Sequence, residues 1–103
     1  FGSTAIDFVS RFSVTHAVIS AGAVSAQGIM DYDLEEAEFA RMVLTRGRRA
    51  IVITDGSKFG RDGLVRVCGF DGITDLATKG APPPDVAKAL EADGVALRLT
   101  PNG

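Results

Sequence analysis

A chain of 103 residues and 10.8 kDa is enough for one compact domain and not for two. Apolar residues at 46% and charged residues at 23% exclude wholesale disorder, and eleven basic against thirteen acidic side chains, a net −2, argue against a nucleic-acid-gripping surface on this chain. A lone cysteine, Cys68, excludes an intrachain disulfide, and no apolar run approaches the ~20 residues of a membrane span.

The opening Phe1-Gly2-Ser3, with no initiator methionine and no basic leader, reads as a processed product or a piece of a longer, cytoplasmic protein. Thr4 to Phe12 places Ala5, Phe8, Val9 and Phe12 at helical spacing, with Ser3 or Thr4 able to cap it. His16-Ala17-Val18-Ile19 reads as a buried strand ended by the turn Ser20-Ala21-Gly22, and Ala23 to Asp31, rich in small residues and without periodicity, reads as loop. Asp33 to Arg46 has the strongest helix signature: Asp33 as N-cap, Glu36 as a capping-box partner, acids early, bases late and Gly47 as the stop. Its apolar arc gathers Ala37, Phe39, Ala40, Val43 and Leu44, and Glu36 falls in the middle of that arc at the first turn.

Ala50-Ile51-Val52-Ile53 is a continuous apolar run, the pattern of a strand covered on both faces. It stops at Asp55-Gly56-Ser57-Lys58. Leu64 to Phe70 fits a strand or a short helix, Gly69 to Gly72 a turn, and Ile73 to Ala77 a weak strand. Pro82-Pro83-Pro84 leads into a helix over Asp85 to Ala92, stopped by Asp93-Gly94, and Val95 to Leu99 closes as a strand. The alternation of helices and strands predicts an α/β layer structure with a largely parallel sheet flanked by helices.

Ligands of open parallel sheets bind outside the carboxyl ends of the strands. That rule selects Ser20 to Gly22 and Asp55 to Lys58. In the second segment Asp55 can accept from sugar hydroxyls, Lys58 can hold an anion, and Ser57 and the Gly56 amide can donate. The competing account is a polar turn with Asp55 in an Asx bond and Lys58 in solvent. Glu36 costs free energy on an apolar face unless it is paired, and its competing account is a capping box. His16 reads as a structural imidazole, Cys68 as packed, and Arg46-Gly47-Arg48-Arg49 as a solvated face. No metal-ligand spacing, cofactor motif, P-loop or GxSxG elbow is present, and no residue is assigned a catalytic role.

Glu36-Ala37-Glu38-Phe39-Ala40-Arg41 followed by Ala50-Ile51-Val52-Ile53-Thr54-Asp55-Gly56-Ser57-Lys58-Phe59-Gly60 resembles the C-terminal sensor domain of DeoR-family bacterial transcriptional regulators. The family pattern is Glu-x-x-(Val)-Lys-Arg, an apolar strand, then Asp-x-Ser-Lys-Phe-Gly. Ile19-Ser20-Ala21-Gly22 sits where the family has a glycine-rich strand end, and Glu91 to Val95 resembles its closing Leu-x-x-x-Gly-Val. The resemblance implies part of a Rossmann-like domain similar to ribose-phosphate isomerases and CoA transferases. It implies a non-enzymatic sensor, acting as a homo-oligomer, whose small-molecule effector is a phosphorylated sugar or related metabolite. Asp55, Ser57, Lys58 and Glu36 carry over as effector-site residues, with Ser20 and Gly22 beside them. DNA is reached only through a helix-turn-helix domain that, like the family's upstream Asp-x-Gly-Thr loop, lies outside these residues. Two positions depart from the pattern. Ala40 replaces the helix lysine, one turn beyond Glu36 and on the same side, which removes an anion contact, and Thr78-Lys79 replaces a Thr-Asp strand end. Two other readings are a sugar-phosphate isomerase of the same fold, with Glu36 or Asp55 as general base, and a pure oligomerisation module.

Overall fold

The computed structural model describes residues 14–61, 63 and 65–100. The helix expected over Thr4 to Phe12 lies outside them. Strands β1 (Val14–Ser20), β4 (Gly47–Asp55), β6 (Asp75–Lys79) and β7 (Ala96–Thr100) form a four-stranded parallel sheet in that order. Helix α1 (Leu34–Arg46) leads into β4 and helix α2 (Pro84–Ala92) connects β6 to β7. The expected α/β layering with a parallel sheet is what the chain forms.

The segment read as loop is instead a hairpin. Strands β2 (Ala23–Ser25) and β3 (Gly28–Asp31) pair antiparallel around Ala26-Gln27, and β3 pairs with β5 (Val65–Cys68) to make a second, three-stranded sheet. Three- and four-residue strands are too short to show alternation, and here Ala23, Val24 and Ile29 are all fully buried. Gly28 is required where it stands: its φ is 128°, and a Cβ would lie 2.3 Å from the Cys68 carbonyl oxygen. The strand alternative for Leu64 to Phe70 is the one that forms, over Val65–Cys68, and β6 begins two residues later than Ile73.

Among the described residues, elements cover β4 on one face only. Its register aligns Ile19, Val52, Leu76 and Leu97 on one side of the sheet and Ser20, Ile53, Ala77 and Arg98 on the other. Val52 and Leu76 are fully buried in one cluster with Ala37, Ala40 and Leu44 of α1 and with Val86 and Leu90 of α2. On the opposite side Ile53 is 50% exposed and Val18 49%. The strand order runs in one direction, and right-handed crossovers then carry both helices over the same face. Gly47 also serves a purpose other than a left-handed stop. The chain passes straight from α1 into β4 with φ of −94°, and a Cβ at Gly47 would lie 2.6 Å from the Ala17 amide nitrogen.

A buried charge joins the last three strands on the open face. Asp75 is 1% exposed and accepts from the guanidiniums of Arg49 on β4 and Arg98 on β7 and from the Thr74 hydroxyl at 2.6 Å. Arg49, expected in a solvated basic cluster, is thus a structural partner. Desolvation raises the Asp75 pKa, but the hydrogen bonds from Thr74, Arg49 and Arg98 outweigh it and bring it from 3.8 down to about 2.

Candidate functional site

The carboxyl end of β1 comes against the start of α1 and the end of β3. The Ala21 amide still bonds to the Ile53 carbonyl at 3.2 Å, holding the chain along β4 for one residue past the strand. At Gly22 the chain then runs beside β3: a Cβ there would stand 3.4 Å from the Asp31 Cα, the Met30 carbonyl and the Tyr32 ring. Two residues, Tyr32 and Asp33, separate β3 from α1, and the Asp33 carboxylate caps the Glu35 amide at 2.9 Å. Glu36, in the first turn of the helix, faces Asp31. Val18, Ile19 and Ser20 of β1, Asp31, and Glu36, Phe39 and Ala40 of α1 line a cavity of about 380 Å³.

The described side chains give this cavity a negatively charged wall. The Asp31 carboxylate, which shares a hydrogen bond with Glu36, is the main cause pushing the Glu36 pKa above its usual range; partial desolvation and Asp33 act in the same direction. Asp31 also accepts from the Tyr32 amide at 2.7 Å. Among the described residues, none of the lining side chains is cationic. Such a wall favours groups that donate hydrogen bonds.

The second expected cluster lies at the end of β4, the strand beside β1. Asp55 caps the short 3₁₀ turn Gly56–Lys58 by accepting from the Ser57 amide at 2.8 Å and from the Ser57 hydroxyl. These two bonds, side chain first, hold the Asp55 carboxyl below its usual pKa. The Asx-turn account thus describes the Asp55 carboxylate, whose oxygen is engaged within its own turn. Lys58 is half-buried, and the turn continues to Gly60, whose amide bonds to the Val24 carbonyl at 2.9 Å.

Of the residues singled out from sequence, Ser20 and Glu36 share the cavity and Gly22 adjoins it. Asp55, Ser57 and Lys58 cluster at the neighbouring strand end, outside the lining. Asp31 was missed because its segment read as loop; the signal was Asp31-x-Asp33-x-x-Glu36, three acids around one helix start. His16 is exposed beside Arg49, four residues before Ser20. Cys68 is half-buried, and burial, with Asp71, pushes its thiol pKa up, so it is no activated nucleophile. Among the described residues no group of three or more His, Cys, Asp or Glu is arranged to hold a metal ion.

Comparison with known proteins bears on this arrangement. The family model of the DeoR C terminal sensor domain matches residues 1–80. The chain is 24% identical over 99 residues to the glycerol-3-phosphate regulon repressor of Escherichia coli (strain K12), covering 95% of this chain and 39% of that protein. It is 28% identical over 82 residues to the protein of the same name from Haemophilus influenzae, covering 79% of this chain and 32% of that protein. Identity to the HTH-type transcriptional repressor CsqR of Escherichia coli (strain K12) is 25% over 99 residues, covering 95% of this chain and 38% of that protein. The chain thus spans about two fifths or less of the length of these relatives.

Proposed function

The chain belongs to the DeoR C terminal sensor domain family, and from that premise we propose that it binds a small phosphorylated polyol and passes that event to a DNA-binding domain elsewhere in the polypeptide. The observation that carries the reading is the convergence of Ser20, Asp31 and Glu36 on one cavity at the carboxyl end of a parallel strand. Its volume, about 380 Å³, is in the range of small-molecule pockets. Hydroxyls of the ligand are donated to Asp31 and Glu36, and Ser20 adds a donor and an acceptor. The anionic end is directed away from the two carboxylates, toward the Asp55–Lys58 turn, where Lys58 and the turn amides supply positive charge. The relatives named for a glycerol-3-phosphate regulon make sn-glycerol 3-phosphate the first ligand to test.

The reading is of a non-enzymatic regulator, working in the cytoplasm as a homo-oligomer. A general base for isomerisation needs a pKa near the working pH. Asp55 is displaced in the wrong direction by Ser57, and for Glu36, displaced upward by Asp31, an assay for turnover decides. No helix among the described residues is long and apolar enough to cross a membrane. The test is calorimetry of the full-length protein with sn-glycerol 3-phosphate, glycerol and inorganic phosphate, run beside an operator-DNA shift assay. Binding of the first at least tenfold tighter than of the other two, with a change in DNA affinity, is expected; equal or absent binding of all three refutes the ligand class.

A further inference from the structure

Besides the Asp31–Glu36 contact, α1 meets the small sheet at the bulge of β5, and that contact has no role in the reading above. β3 and β5 slip in register: Ile29 pairs with Cys68, but Met30 pairs with Arg66, which leaves Val67 as the extra residue of a β-bulge. A bulge disrupts the ladder locally and leaves main-chain acceptors to be satisfied by other means. Here one side chain satisfies two of them. The Arg41 guanidinium, from the middle of α1, donates Nε to the Val67 carbonyl and Nη2 to the Arg66 carbonyl, each at 2.7 Å. Charge-assisted bonds of this length are among the stronger ones available to a side chain.

We propose that Arg41 is the positioning residue of the effector cavity: by gripping the β5 bulge it sets where β3 ends and therefore where Asp31 stands relative to Glu36. The bulge falls immediately before Met30 and Asp31 on the partner strand, so the grip acts on the two residues that lead into the site. Glu36 and Arg41 are five residues apart on one rigid helix, about 7.5 Å along its axis. With one end of the small sheet anchored by Arg41, the approach of the Asp31 end to α1 is limited to movement about that anchor. Lysine cannot replace this contact in full, because a single ammonium on a flexible stem lacks the planar fork that reaches two adjacent carbonyls. The proposal rests on the cavity being the effector site, but its first readout does not.

The experiment uses the full-length protein and the variants Arg41→Met, which keeps the apolar stem, and Arg41→Lys. The Glu36 carboxyl is titrated by carbon-detected NMR, and sn-glycerol 3-phosphate is titrated by calorimetry. In Arg41→Met the Glu36 titration is expected to move down toward the ordinary carboxylate range as Asp31 draws away, while the far-ultraviolet dichroism of the fold is retained. Arg41→Lys is expected to fall between Met and wild type. Affinity for the probe is expected to drop at least tenfold in Arg41→Met. An unmoved Glu36 titration in a folded Arg41→Met variant overturns the proposal. So does the unfolding of both variants, which would make Arg41 a determinant of folding and not of site geometry. If wild type fails to bind the probe while the titration moves as stated, the positioning role stands and the ligand class falls.

Discussion

Replacing Asp75 by asparagine tests whether the buried carboxylate on the open face of the sheet holds β4, β6 and β7 together. The carboxyl titrates at about 2 in the folded chain against 3.8 unfolded, which corresponds to about 2 kcal/mol of stabilisation at neutral pH. Because the folded value is the lower one, this contribution is complete above the unfolded value and drains away as the pH falls through about 2. Asparagine keeps the shape and one acceptor but loses the charge. The two arginines it leaves behind are 44% and 61% exposed, so water takes up their charge and little further penalty accrues. The expected loss is therefore about 2 kcal/mol at pH 7, or ~1–2 M in the urea midpoint for a domain of this size. The gap between variant and wild type is expected to shrink below about 1 kcal/mol by pH 2.5. Arg49→Met and Arg98→Met, each leaving Thr74 and the other arginine on Asp75, are expected to cost less than about 1 kcal/mol apiece. Urea unfolding followed by circular dichroism, at both pH values, measures all three. A pH 7 loss under about 0.5 kcal/mol, or a gap that persists at pH 2.5, refutes the assignment.

Glu36→Gln removes a repulsion with Asp31, so at pH 7 it is expected to leave the melting temperature unchanged or higher while weakening sn-glycerol 3-phosphate in calorimetry; a clear drop in stability would show that Glu36 is a structural cap. The wild-type penalty from Glu36 is present above its raised folded-state pKa and disappears at lower pH, so the gain from Gln should vanish in acid. Gly28→Ala meets the Cys68 carbonyl oxygen at 2.3 Å with φ of 128° and is expected to cost about 3 kcal/mol in urea unfolding. Cys68, half-buried with its pKa raised, should react with a thiol reagent at neutral pH much more slowly in the folded protein than in urea. Incubation of the full-length protein with a panel of sugar phosphates should give no isomerisation above buffer background; turnover abolished by Glu36→Ala would establish the enzyme reading instead.

α1 and β4 were legible because their patterns are long and well bounded, and the alternation of the shorter segments around them gave the layer order. α1 carries its cap, its charge gradient and its apolar arc over thirteen residues, and β4 carries an apolar run that only a strand suits. What escaped notice is non-local. The β2–β3 hairpin has no periodicity to read, and its glycine at 28 is explained by a carbonyl forty residues away in sequence. The exposed side of β4 follows from strand order, which composition does not contain. Asp75 and Arg49 meet across 26 residues, as do Arg41 and Val67. In the site, Glu36 was legible as an acid out of place on an apolar arc, whereas its partner Asp31 could be identified only once β3 existed to place it.

The two halves of the site differ in how a bound ligand can act on them. The Asp55 turn is satisfied by itself, with its carboxylate already accepting two bonds from Ser57. A ligand there adds contacts without relieving anything. The Asp31–Glu36 pair sets two carboxyls against each other at the junction of α1 with the small sheet. A hydroxyl donated between them removes a repulsion that the empty protein carries and so favours the arrangement in which α1 and β3 stand close. A sensor can shift its conformational equilibrium only by as much as the ligand's affinity differs between the two states. That difference is available at Asp31 and Glu36 and is small at Asp55. In the function proposed above, the response to effector begins at the contact between β3 and α1, and the β4 turn contributes affinity for the anionic end.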